Sequence, residues 1–121
     1  MKQKVIKVKN LTKKFQDHLV LENINLDLYE NDSLAIIGKS GSGKSVLLKC
    51  LIGLIKPDQG SIKVLNTEII NAKKYVKEKI LLNYGVTFQN GALFDSIPVW
   101  ENIVFKIMRF KKIDNLEGQK L

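Results

Sequence analysis

Apolar and polar residues alternate over Val5-Ile6-Lys7-Val8-Lys9, a period of two that predicts a strand with one buried face. Leu11 to Phe15 extends it or pairs nearby, and Gln16-Asp17-His18 is a turn candidate. Ile24, Leu26 and Leu28 alternate with Asn25, Asp27 and Tyr29, which predicts a second half-buried strand, closed by the turn Glu30-Asn31-Asp32-Ser33. Leu34 to Ile37 does not alternate. Four apolar residues in a row predict a central strand covered on both faces. A helix follows from about Lys44 to Leu54, and Lys56-Pro57-Asp58-Gln59-Gly60 breaks it. Ser61 to Leu65 reads as a short strand, Ala72 to about Leu82 as a helix with lysines on one side, and Tyr84 to Phe88 as a strand. Gln89 to Ile97 is a loop, and Pro98 introduces a helix over Val99 to Phe110. The polar tail Lys111 to Leu121 predicts no element.

The length of 121 residues suits one small domain, and 45% hydrophobic content is enough for a core. No apolar run is long enough to span a bilayer, and Met1-Lys2-Gln3-Lys4 does not open a signal peptide. The single Cys50 has no partner for a disulfide and falls on the apolar side of the first helix, so it reads as a small core residue. These features suggest the cytoplasm. The net charge of +8 raises the question of a nucleic-acid or membrane partner. The lysines are spread along the whole chain, Arg109 is the only arginine, and no aromatics interleave with the basic residues. That pattern is a solvated basic surface and not a polyanion groove.

The candidate chemistry lies in Gly38-Lys39-Ser40-Gly41-Ser42-Gly43-Lys44-Ser45, which fits G-x-x-x-x-G-K-[ST] at every fixed position. The Leu34–Ile37 run enters it and Val46-Leu47-Leu48-Lys49-Cys50-Leu51-Ile52 leaves it as a helix. Glycines let the backbone wrap a phosphate closely, and successive N–H groups then form an anion nest. The helix adds unpaired N–H groups and the positive end of its dipole. Lys44 brings a full charge to the β- and γ-phosphates, and Ser45 offers a hydroxyl to Mg²⁺. The expected ligands are a nucleoside triphosphate and Mg²⁺, which a family resemblance narrows to ATP and Mg²⁺. The strands that precede the loop count against a simple nucleotide kinase, which usually opens on the loop-bearing strand.

Several separated segments give the chain its resemblance to the N-terminal half of an ATP-binding-cassette (ABC) transporter ATPase. They are Leu11-Thr12-Lys13-Lys14-Phe15, the phosphate loop, Gly53-Leu54-Ile55-Lys56-Pro57-Asp58-Gln59-Gly60-Ser61-Ile62, and Val86-Thr87-Phe88-Gln89. A narrower similarity is to the ATPase of the bacterial Mla-type phospholipid-trafficking transporters. Its cues are Val46, where most of the family has threonine, and Phe88-Gln89-Asn90-Gly91-Ala92-Leu93-Phe94-Asp95-Ser96. The resemblance implies an α/β fold, a P-loop NTPase core with an N-terminal antiparallel β subdomain. Residues 1–110 would form that part of the nucleotide-binding domain, and 111–121 a tail. It implies that Phe15 stacks on adenine, that Gly38 to Val46 surround the phosphates, and that Gln89 reaches Mg²⁺ or the attacking water. Leu93, Phe94, Pro98 and Trp100 would lie near the surface that receives a membrane permease. Asn31 and Asn66 stand where the family usually has turn glycines, and asparagine also tolerates the left-handed conformation.

The family's Leu-Ser-Gly-Gly-Gln signature, its apolar strand ending in Asp-Glu and its switch histidine are not found. His18, the only histidine, reads as a surface residue in an early turn. The metal then lacks an anchor and the water lacks a general base. The resemblance therefore implies nucleotide binding with negligible turnover. It further implies a permease partner, a second ATPase copy in a head-to-tail dimer or a complementary C-terminal chain, and membrane contact only through the permease. The alternatives are a non-catalytic docking fragment and a different P-loop enzyme such as a small kinase.

Overall fold

The computed structural model describes residues 2–88, 91 and 93–111. The chain divides into two compact units, Met1–Tyr84 and Gly85–Leu121. In the first unit β1 (Lys4–Phe15) and β2 (His18–Tyr29) form a long antiparallel hairpin. After α1 (Lys44–Leu51), β3 (Gln59–Val64) and the short β4 (Thr67–Glu68) complete a four-stranded antiparallel sheet of order β2-β1-β3-β4. Helix α2 (Lys74–Leu81) follows. The second unit holds α3 (Val99–Lys111).

The hairpin is more irregular than simple alternation predicts. Val8 and Leu11 are both fully buried although three residues apart. Asn10, at φ 49°, is the extra residue of a bulge that restores the inward face. Leu21 and Ile24 repeat the arrangement around Asn23, at φ 48°. The Asn25 side chain ties the two bulges together, accepting from Asn10 N at 3.0 Å and donating to Asn23 O at 2.9 Å. Gly60 passes directly over the first bulge. A Cβ there would lie 2.6 Å from the carbonyl oxygens of both Lys9 and Asn10, and φ is +98°. Only glycine permits that approach.

The core of this unit joins Val8, Leu11, Leu21, Ile62 and Val64 of the sheet to Leu47, Cys50 and Leu51 of α1, with Ile69 and Ile80 beside them. Cys50 is buried, and burial pushes its thiol up, which suits a core residue. His18 is exposed at the start of β2.

Helix α1 ends at Leu51, not near Leu54. Gly53, at φ 75°, reverses the chain, with Gly53 N donating to Cys50 O and Leu54 N to Lys49 O. This pair of bonds satisfies the last carbonyls. Asn31 and Asn66 adopt φ 62° and 65°, so asparagine does carry both turns. Asn66 shares with Leu65 a two-residue hairpin turn between β3 and β4.

Two expected strands do not form. Leu34–Ile37 is extended but belongs to no sheet, and Ile37 is 93% exposed. Residues 84–88 are likewise without strand structure, with Val86 and Phe88 exposed. A strand exists only with a ladder partner. The ladders of the antiparallel sheet join β1 to β4 and neither of these runs, so neither has a partner among the described residues.

Candidate functional site

The loop Gly38–Ser45 joins the unpaired apolar segment to α1, and the elements on either side hold it in place. Gly43 is the N-cap of α1 at φ 92°, and Leu47 N donates to its carbonyl at 2.9 Å. A Cβ on Gly43 would come 2.9 Å from Val20 O, so glycine lets the loop lie flat on β2. Gly41, at φ 77°, faces open space. Ser42 N donates to Lys39 O at 3.2 Å and makes the bend. A Cβ on Gly38 would meet Ser42 Oγ at 2.6 Å.

The electrostatics are one-signed. Helix α1 has no acidic residue in its first turn and no side-chain cap, so no side chain of its own competes for its N-terminal N–H groups. Lys44 crosses the bend, its ammonium donating to Gly38 O at 2.8 Å and Lys39 O at 2.7 Å. Among the described residues neither Lys39 nor Lys44 makes an ion pair. Ser45 is exposed on the first turn of α1, while Val46 packs against the core. This is a cradle for a polyanion: backbone donors, a helix start and two cations with no carboxylate among them.

The same donor set fits Mg²⁺ only as a companion of phosphate. Ser45 contributes one neutral oxygen, and no cluster of three metal-ligating side chains occurs among the described residues. A hard cation would need phosphate oxygens and water for the rest of its shell.

Phe15 closes β1 opposite His18 at the tip of the hairpin and is 45% exposed. The Lys13 ammonium sits 5.2 Å from its ring centre. Asp58 pins this end of the strand. It accepts from Lys14 N at 2.7 Å and Lys13 Nζ at 3.3 Å, and its own N–H donates to Thr12 O. The Lys14 amide, helped by Lys13, holds the Asp58 carboxyl below its usual range. Val20, two residues beyond His18 on the returning strand, is the residue against which Gly43 packs. The hairpin that presents Phe15 and the loop thus share one support.

Gln89 and Ala92 lie outside the described residues. In the second unit Leu93, Phe94 and Pro98 are exposed and Trp100 is half-buried. Asn102, which sequence reasoning did not single out, ties the backbone of Phe94 to that of Ile97 and Pro98. Its side chain accepts from Phe94 N at 2.8 Å and donates to Phe94 O at 3.0 Å, and it approaches Ile97 O and Pro98 O at 3.4 and 3.3 Å. The Phe94 and Phe105 rings pack at a 43° tilt with centroids 4.7 Å apart. Asp58 and Asn102 were invisible for one reason: each acts on backbone groups that only the fold brings near.

The glycine-bent loop on a helix start lies beside an antiparallel β hairpin, and both fall within the part of the chain that known proteins share. The ABC transporter family profile matches residues 21–120, and the chain belongs to that family. It is 43% identical over 116 residues to the arginine transport ATP-binding protein ArtM of Bacillus subtilis, covering 96% of this chain and 48% of that one. It is 40% identical over 107 residues to the probable ribonucleotide transport ATP-binding protein mkl of Mycobacterium leprae, covering 88% of this chain and 31% of the relative. Among solved structures, a dimeric bacterial ABC transporter cassette superposes with a TM-score of 0.82 at 30% identity, covering 95% of this chain and 53% of that chain. A post-hydrolysis state of the same cassette, bound to ADP and Pi, matches with the same score at 29% identity and the same coverage. The chain therefore spans about a third to a half of the length of these proteins.

Proposed function

We propose that this chain is the N-terminal, phosphate-gripping half of an ABC transporter ATPase, and that it binds Mg-ATP through Gly38–Ser45 with negligible hydrolysis on its own. The observation that carries the reading is the loop itself, with left-handed glycines, a helix start free of acids and Lys44 lying across the bend. In this reading the backbone N–H groups and Lys44 hold the β- and γ-phosphates, Ser45 gives its hydroxyl to the metal, and Phe15 offers its exposed ring to the base. Gln89 reaches the metal or the water. Bound Mg²⁺ would neutralise phosphate charge. The family match favours this reading over a small kinase, and the solved ADP-and-Pi-bound relative supports a nucleotide as ligand.

The proposed partners are a transmembrane permease and a second cassette or a complementary C-terminal chain. Among the described residues no helix is long and apolar enough to cross a membrane, which fits attachment through a permease at the cytoplasmic face. A phospholipid cargo rests on Val46 and the Gly91-Ala92-Leu93-Phe94 stretch alone. The named cargoes of the relatives, arginine and methionine among them, differ from one another.

Calorimetric titration of the folded chain with Mg-ATP tests the proposal. Saturable binding with turnover at the buffer blank supports it. No saturation, or robust hydrolysis by residues 1–121 alone, contradicts it.

A further inference from the structure

Lys13 carries a cation that the fold has largely taken out of water. Its side chain is 14% exposed, against 48% for its partner Asp58, whose Oδ1 it meets at 3.3 Å. The other carboxylate oxygen of Asp58 accepts from Lys14 N at 2.7 Å. Asp58 is itself tied to the strand by its own N–H, which donates to Thr12 O at 2.9 Å. One carboxylate thus fixes both the backbone and the ammonium at the end of β1. From there the ammonium stands 5.2 Å from the centre of the Phe15 ring.

Phe15 needs such a hold. It is the last residue of β1, it precedes the turn Gln16-Asp17, and it is 45% exposed. It makes no ring–ring contact among the described residues. A loose aromatic side chain loses rotamer freedom when a ligand orders it, and that loss subtracts from affinity. A cation over one face of the ring removes much of this cost beforehand. The attraction is stronger where the cation is poorly hydrated, as Lys13 is. It leaves the opposite face to a ligand, with the negative charge of the π system partly offset.

We propose that Lys13 is a positioning residue for the nucleotide base: its ammonium holds one face of the Phe15 ring, so that the other face stacks on the base without further ordering. This rests on the reading above in which Phe15 offers its ring to the base. The neighbouring Lys14 is exposed and makes no ion pair among the described residues, so it provides no comparable hold. Asp58 completes the arrangement by keeping the Lys13 stem in place. In that reading Gly38–Ser45 grip the phosphates, so the effect of Lys13 is confined to the base half of the ligand.

Calorimetric titration of the full chain with Mg-ATP and, separately, with Mg-tripolyphosphate tests this, because the second ligand has the phosphates without the base. Lys13→Met keeps an unbranched stem and removes the charge. It should weaken Mg-ATP binding about fivefold and leave Mg-tripolyphosphate binding unchanged. In a Phe15→Ala background the same change should cost Mg-ATP nothing further. Lys13→Arg should restore most of the affinity, since a guanidinium also pairs with a ring face and a carboxylate. If Lys13→Met does not fold, Lys13→Gln carries the same test, because it keeps a donor for Asp58 and takes the charge off the ring. Equal loss for both ligands would overturn the proposal, since Lys13 would then serve the hairpin alone. Unchanged Mg-ATP affinity, or a loss that persists without Phe15, would overturn it too. A parent chain that binds Mg-tripolyphosphate as tightly as Mg-ATP would overturn the role of Phe15 together with that of Lys13. A parent chain that binds neither would overturn the nucleotide reading itself, so the failures are told apart.

Discussion

The Lys44 ammonium donates to the Gly38 carbonyl oxygen at 2.8 Å, across the mouth of the bend that the two residues bracket. With Lys39 O as its second acceptor, the cation is held over the loop. A phosphate oxygen is a stronger acceptor than either carbonyl, because the bond is then charge-assisted on both sides. Lys44→Ala should weaken Mg-ATP binding on the order of 100-fold, about 2.7 kcal/mol. The melting temperature should hardly move, since both bonds are exposed. Calorimetry and thermal melts of the same preparation check this. Unchanged affinity would place the nucleotide elsewhere.

Gly60→Ala tests the crossing of β3 over the bulge. The added methyl would collide with the Lys9 and Asn10 carbonyls and sit on a backbone at φ +98°. Overlap and strain together should cost about 3 kcal/mol. Denaturant unfolding measures it. Gly41→Ala is the comparison: it carries positive φ but meets nothing within 4 Å, so it should cost less.

Asp58 should make the fold acid-sensitive at the hairpin. Its carboxyl is held below the ordinary value by the Lys14 amide first and Lys13 second. A depressed folded value means that the unfolded chain binds the proton more readily. The stabilisation is therefore complete above the unfolded value and is lost as pH falls through the folded one. Unfolding curves from pH 5 downward should show Asp58→Asn losing less stability on acidification than the parent chain.

Tyr84 should act at the opposite end of the scale. Its hydroxyl donates to Leu51 O at 2.9 Å, and burial pushes its ionisation up from 10 to about 12. Between those values the folded chain keeps a proton that the unfolded chain has lost, so stability falls as pH rises through that window. Tyr84→Phe should remove this contribution to the alkaline slope, and at neutral pH should cost about 1 kcal/mol for the lost bond.

Asn102→Ala should loosen residues 94–98 without melting α3. One side chain serves Phe94 N and O together with Ile97 and Pro98 carbonyls. Hydrogen exchange at Phe94 should accelerate by at least tenfold, while amides in the middle of α3 keep their protection. Equal loss in both places would mean that the helix depends on this contact.

The loop, its helix and the β1–β2 hairpin were legible from residue order because their causes are local. A glycine pattern sets the bend, an apolar period sets α1, and alternation sets the strands. The end of α1 could have been read from Gly53, whose left-handed backbone closes the helix early. The bulges were harder. Val8–Leu11 and Leu21–Ile24 both break a period of two, and Asn10 and Asn23 inside them were the available signal.

By itself the order of residues determined where the glycine-bent loop and its cation lie, because that loop is built from eight consecutive residues and the helix that follows them. Tertiary structure alone decided that Leu34–Ile37 stands without a ladder, that Gly60 must be bare to cross Asn10, and that Asp58 and Asn102 hold distant backbone in place. Propensity and pattern act along the chain, whereas pairing and close approach depend on which groups the fold brings together across it.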